Sequence, residues 1–227
     1  MRRADNKLER TIVSIITKNV EKIMNDTQLK FQTDFAGRTT HSQSQSWCTP
    51  PKYVNAVLKM FDGVISLDPC SNQFAITNAE TSYILPFHDG LKETWNFEKI
   101  YVNPPYGADY ERGTSVKDWI SRCCQAHEMY KSEVLALIPV ATNTTHWKKF
   151  IFGKAKAICF LSDTRLKFLI NGSLNNKGAP MACAMVYWGE NYEKFEKIFS
   201  KFGAVVNGDG ISAQVETQMN LFEAVCN

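Results

Sequence analysis

No apolar run in this chain approaches the roughly 18–20 residues that span a bilayer. The basic start, Met1 to Arg10, leads into no apolar core of a secretory signal. Neither a membrane span nor a leader is therefore expected. Cysteine occurs seven times, an odd count, at Cys48, Cys70, Cys123, Cys124, Cys159, Cys183 and Cys226, and no pair has Cys-x-x-Cys spacing. That argues against a disulfide framework and a zinc knuckle, and a reducing cytoplasm is the expected setting. His88 and His146 have no companion ligands, so no metal is expected. The Asn143-Thr144-Thr145 sequon is read as chance, since no secretory route is foreseen. Strong charge is missing too: the net is +3. A polyanion partner is permitted by that balance but not demanded.

What is present is ordinary globular material. The 227 residues are 44% apolar, 12% aromatic and 22% charged, enough for one domain with short arms. Ile12, Ile15, Ile16, Val20 and Ile23 recur at mostly 3–4 spacing, which predicts an amphipathic helix over 8–24. A polar stretch, 25–46, reads as a linker or a mobile arm. The expected organisation is an N-terminal helical extension and linker over 1–45, a body over 46–205 and a tail over 206–227. Within the body, helices are predicted over 51–61, 115–131, 143–151 and 190–202. Strands are predicted over 64–67, 99–102, 133–139, 157–161 and 182–188. Strands alternating with helices predict an α/β fold, a mainly parallel sheet with helices on both faces. Ligands in such sheets lie beyond the carboxyl ends of the strands. Asp68 and Asn103 follow the first two predicted strands.

The most informative segment is Asn103-Pro104-Pro105-Tyr106, after the apolar Ile100-Tyr101-Val102. Two prolines remove two backbone donors and hold the chain extended, leaving their carbonyls as acceptors. Asn103 adds a side-chain acceptor, and Tyr106 adds an aromatic face. Such a set suits a planar amino group. Its two N–H bonds would go to Asn103 and the Pro104 carbonyl, with its ring stacked on Tyr106. An amine conjugated to a purine is a poor nucleophile. Acceptors around it would favour a pyramidal nitrogen, and catalysis would rest on positioning and electrostatics. The plainer alternative is a proline-rich turn after a buried strand.

Asn-Pro-Pro-Tyr resembles the catalytic motif of amino-group methyltransferases. The wider pattern resembles the small Dam-like DNA N6-adenine methyltransferases of phages and prophages. Trp47-Cys48-Thr49-Pro50 resembles their Trp-x-Thr-Pro start, and Leu67-Asp68-Pro69-Cys70 with Asn72 their Leu-Asp-Pro segment. Arg165-Leu166-Lys167-Phe168, with Gly178-Ala179-Pro180 and Tyr187-Trp188, resembles their C-terminal pattern. The resemblance spans roughly 46–190. It implies a Rossmann-like methyltransferase domain that uses S-adenosyl-L-methionine and acts on DNA, in host cytoplasm if phage-encoded. It further implies that Trp47, Thr49, Pro50, Asp68, Pro69, Cys70, Asn72 and Asp89 surround the cofactor. Asn103, Pro104, Pro105 and Tyr106 would hold a flipped-out adenine.

One departure stands out: the segment after Asp68, Pro-Cys-Ser-Asn-Gln-Phe, contains no glycine. Glycine commonly permits close backbone approach to a ligand, so side chains of Ser71 or Asn72 are expected to serve instead. Glu80 is a candidate ribose-binding acid by spacing. Arg112, Lys148, Arg165 and Lys167 are candidate DNA contacts, and Lys148, Lys149, Lys154 and Lys156 a candidate basic group. Trp119 reads as core. Two competing functions stay open: the same chemistry on RNA or a protein glutamine amide, and a degenerate domain that binds DNA without cofactor. Neither oligomeric state nor recognition sequence is legible.

Overall fold

The computed structural model describes residues 47–163, 165–174, 179, 181–209 and 211, all within the unit Gln43–Asn227. The predicted helix over 8–24, the linker, and most of the tail lie outside the described residues. In chain order the elements are β1 (Trp47–Cys48), α1 (Pro51–Met60), β2 (Leu67–Asp68), β3 (Thr81–Ser82), β4 (Lys99–Val102), α2 (Val116–Tyr130), β5 (Glu133–Pro139), α3 (Thr145–Phe150), β6 (Ala157–Leu161), β7 (Leu169–Ile170), β8 (Ser173–Leu174), β9 (Cys183–Trp188), α4 (Tyr192–Phe199) and β10 (Gly203–Asn207).

One sheet runs β10-β6-β9-β5-β4-β2-β3, and a small one runs β1-β7-β8. In the large sheet β3, β2, β4 and β5 pair in parallel. β9 inserts antiparallel between β5 and β6, and β10 lies antiparallel on the outer edge of β6. β6 thus points the same way as β5, and five of the seven strands share one direction.

Strand residues alternate strictly between two cores, as a period of two requires. Ile100, Val102, Val134, Ala136 and Ile138 pack with Trp119, Ile120 and Cys123 of α2 and with Trp147 of α3. Tyr101, Leu135 and Leu137 face the other way, onto Tyr53 and Val57 of α1 and Phe195 and Phe199 of α4. The apolar run Glu133–Pro139 is explained by that double burial. Helix ends follow local chemistry. α1 opens with Pro51 in its first turn, and α2 opens with a Ser115–Asp118 capping box. The Asn191 side chain caps α4. None of the six described cysteines is exposed. Burial raises the thiol pKa at each, to about 11 at Cys183 and about 12 at Cys124 and Cys159.

Several boundaries differ from expectation. The strand predicted over 64–67 pairs only at Leu67–Asp68. Val64 leaves a turn in which Asp62 and Gly63 both have positive φ, and it is 41% exposed. Two-residue β1, β3, β7 and β8 are too short to show alternation. The strand predicted as the fifth runs antiparallel as β9, a reversal that periodicity does not reveal. β10 crosses the expected boundary at 205 and pairs with β6 along its whole length.

Candidate active site

Parallel pairing sets β2 and β4 side by side, with Leu67 opposite Ile100. Their carboxyl ends therefore carry Asp68 and Asn103 to the same edge of the sheet. Asp68 is 4% exposed. Its Oδ2 accepts from the Thr77 hydroxyl at 2.8 Å and its Oδ1 from the Cys70 N–H at 3.3 Å. Burial nonetheless raises its pKa to about 6, against the pull of Thr77, Cys70 and Ser71. A buried carboxylate held above its ordinary range is short of positive charge around it.

Asn103 is half-buried. Its Nδ2 donates to the Trp47 carbonyl of β1 at 3.2 Å. Pro104 is buried, while Pro105 and Tyr106 are half-buried. The Tyr106 hydroxyl donates to the Leu137 carbonyl at 3.1 Å and lies 3.8 Å from the Cys183 Sγ. Its ring meets Trp47 edge-on at 6.3 Å and Phe168 at 5.7 Å. Trp47 and Phe168 stack at 5.0 Å and 17°. Thr49 is buried under this group, 2.7 Å from the Tyr101 hydroxyl, and Pro50 is the N-cap of α1.

Beside these residues lies a cleft of about 550 Å³, within the ~300–1,000 Å³ usual for small-molecule sites. Pro69, Phe74, Tyr83, Leu85, Phe87 and Trp119 give it apolar walls; Cys70, Ser71, Asn72, Gly90, Pro105 and Arg112 also line it. The glycine-free segment 70–72 is at once a wall of this cleft and of a small cavity bordered by Trp47, Thr49, Asp68 and Asn103. Asn72 ties the segment down: its Oδ1 accepts from the Phe74 N–H at 2.9 Å and from the Cys48 thiol at 3.4 Å. Gly90 packs directly against the start of this segment, where no side chain would fit. A Cβ there would stand 1.7 Å from the Pro69 carbonyl oxygen.

Asp89 sits between the lining residues His88 and Gly90. Its carboxylate accepts from the Leu91 N–H at 3.2 Å and lies 3.4 Å from Lys92 and 3.7 Å from Arg112. Arg112, a candidate DNA contact from the sequence, forms part of the cleft wall. Its guanidinium faces Asp89 and Asp109, and the side chain is 22% exposed. The reason is a tight hairpin in which Asp109 and Thr114 exchange backbone hydrogen bonds, carrying Arg112 back over the cleft. Glu80 is exposed, at the amino end of β3, and does not line the cleft. Trp119 packs on Trp95 at 6.2 Å, as a core residue should, and also lines the cleft.

Arg165 and Lys167 are exposed while Leu166 and Phe168 are buried, so the segment presents its charges outward in strict alternation. Lys148 and Lys149 are exposed on α3. Lys154 and Lys156 are bound to Glu128 and Asp209, each at 2.7 Å, which halves the predicted basic group. Sequence reasoning missed Tyr110 and Phe87, which are 81% and 82% exposed, Phe87 on the cleft lining and Tyr110 on the hairpin that carries Arg112. An aromatic residue in an otherwise polar loop was the available signal for Tyr110. Among the described residues no cluster of three metal-ligating side chains exists, and no described helix is long and apolar enough to cross a membrane.

A mixed, mostly parallel sheet covered on both faces, with an acid and Asn-Pro-Pro-Tyr at adjacent strand ends, defines a Rossmann-like S-adenosylmethionine-dependent methyltransferase. The family model for DNA N-6-adenine-methyltransferase (Dam) matches residues 36–214. The chain belongs to that family, and with it come adenine-specific DNA methylation, dependence on S-adenosylmethionine and DNA as partner. The match lends nothing to an RNA or glutamine acceptor. No curated protein and no solved structure matched in the corresponding comparisons.

Proposed function

We propose that Asn103, Pro104, Pro105 and Tyr106 grip the amino edge and face of a flipped-out adenine, and that the 550 Å³ cleft with Asp68 holds the cofactor. The observation that carries this is the shared wall: segment 70–72 touches both the cleft and the cavity beneath Asn103. The residues fit the cofactor in kind. Tyr83, Phe74 and Leu85 offer apolar surface for a purine, and buried Asp68 offers the one charge that an ammonium group would satisfy. Trp47, Thr49 and Pro50 back the same end, and Asp89, at the far side, is suited to an adenine amino group. Bound there, the cofactor supplies an electrophilic methyl group. Asn103 Oδ1 and the Pro104 carbonyl orient the amine and draw its lone pair out of the ring. Tyr106, fixed at its hydroxyl by Leu137, keeps the ring plane.

The test is nucleoside mass spectrometry of DNA from cells expressing the protein. N6-methyladenine above the level in control cells is expected; unmodified adenine, or methylation at cytosine alone, would overturn the reading.

Arg165, Lys167 and Lys148 supply the phosphate contacts. The slope of log affinity against log salt falls by about 0.9 for each lost phosphate contact on duplex DNA. The double variant Arg165→Ala/Lys167→Ala is therefore expected to bind more weakly on every sequence, with a slope shallower by about 2. Fluorescence anisotropy titrations across a salt series measure it, and an unchanged slope would remove both residues from the interface.

A further inference from the structure

Asn103 needs more than a strand end to work, because a side-chain amide presents an acceptor and a donor on opposite sides. A target amine can use only the acceptor. A freely turning amide would offer the wrong group much of the time. In this structure Nδ2 is committed to the Trp47 carbonyl at 3.2 Å, and among the described residues no protein donor meets Oδ1. The amide is therefore fixed with its oxygen free.

The carbonyl that does this belongs to a two-residue strand, which has little rigidity of its own. Three contacts hold it. β1 pairs with β7, with Trp47 opposite Ile170. The Trp47 ring stacks on Phe168 at 5.0 Å. Tyr106 closes the group edge-on against both rings. Phe168 is 2% exposed, and it directly follows the outward-facing Lys167.

We infer that the Trp47–Phe168 stack is a positioning device for the catalytic amide: it holds the Trp47 carbonyl where it keeps Asn103 Oδ1 turned toward the target amine. Phe168 is then a positioning residue that acts on the reaction without touching the substrate. The inference rests on the role proposed above for Asn103, and its test reads the amide directly as well as the reaction.

The first readout is the side-chain NH2 resonance pair of Asn103 in ¹⁵N-labelled full-length protein, assigned by its disappearance in Asn103→Asp. In wild type the pair should be shifted and protected. Phe168→Ala should move it toward free-amide values and speed its proton exchange at least about tenfold, whereas Phe168→Tyr should leave it in place. An unaltered pair in Phe168→Ala overturns the inference whatever the enzyme does to DNA. The second readout is turnover. Misplacement by about 1 Å can cost on the order of 10²-fold. Phe168→Ala is accordingly expected to lose about 10- to 100-fold in kcat with cofactor Kd within twofold of wild type, and Phe168→Tyr to recover most of it. A loss confined to Tm, or cofactor affinity falling in step with kcat, would mark Phe168 as merely structural. Asn103→Asp covers the case in which Phe168→Ala folds poorly. It keeps an oxygen for the amine but sets another against the Trp47 carbonyl, and should lose kcat by a similar factor. Wild-type turnover in Asn103→Asp would overturn the inference, while absence of methylation by the wild type itself would indict the proposed function instead.

Discussion

Asn103→Ala is expected to lose methyl transfer by at least about 10²–10³-fold in kcat, the scale on which removing one preorganised electrostatic partner of a transition state is felt. The protein should meanwhile keep its fold and its cofactor affinity. Three features separate these effects. Asn103 lies just beyond β4, so its side chain contributes nothing to the strand core of Ile100 and Val102. Its side-chain hydrogen bond to the Trp47 carbonyl has a net worth of about 1 kcal/mol. The cleft is lined by Pro105 and segment 69–74 but not by Asn103. The Pro104 carbonyl remains as a single acceptor, which can hold the amine but cannot set its plane. Single-turnover methylation of a duplex oligonucleotide, with thermal melts and cofactor titrations alongside, checks all three expectations. Activity within a few-fold of wild type would refute the role given to the amide.

Asp68→Asn should produce opposite changes in binding and stability. In the free protein the carboxyl pKa is raised from 3.8 to about 6 by burial. A raised folded-state pKa means that protonation favours the fold. That contribution is fully present below pH 3.8 and lost as pH rises through about 6. At pH 7.5 ionised Asp68 therefore costs the free protein up to about 3 kcal/mol, each pKa unit being worth about 1.4 kcal/mol. Asp68→Asn is expected to melt higher than wild type at pH 7.5, less whatever the weaker contact with the Cys70 N–H forfeits, and to lose that advantage progressively as pH falls from about 6 to below 3.8. Cofactor binding should move the other way. Removing one member of a desolvated charge pair costs about 3–5 kcal/mol, so affinity should drop at least 10²-fold. Wild-type affinity should itself weaken as pH falls below 6, with proton release on binding in that window. Calorimetric titrations in buffers of different ionisation enthalpy measure both, and equal affinity of the two proteins would dissociate Asp68 from the cofactor.

The parts of this fold that the sequence shows most clearly are those with enough length to display a period. β5 and β6 fall on their predicted bounds because both faces of those strands are buried and the apolar run is unbroken. α2 is framed by a serine–aspartate capping box and ends at Lys131 in a left-handed conformation, both local signals. The short strands β1 and β7 are fixed by the contact of Trp47 with Ile170, a partnership between distant residues that no local pattern encodes. The same division holds for the site. Asn-Pro-Pro-Tyr and the acid at Asp68 are legible because their chemistry is compressed into consecutive residues at strand ends. The ion pairs of Arg112 are not legible, because Asp89 and Asp109 reach it through a turn and a hairpin. Gly90 is overlooked for a similar reason: its importance lies in a contact with Pro69, 21 positions away in sequence.

The buried thiols described above have a practical consequence. Thiolate, not thiol, reacts with maleimides and iodoacetamides, and none of the six described cysteines is both accessible and acidic enough to supply it at neutral pH. With Cys226, outside the described residues, replaced by serine, the body of the enzyme becomes chemically silent toward these reagents. A single Tyr110→Cys change then places one dye on the hairpin that follows Asn-Pro-Pro-Tyr, at a position 81% open to solvent. The arrival and departure of DNA can be timed from that one fluorophore, free of background from the rest of the molecule.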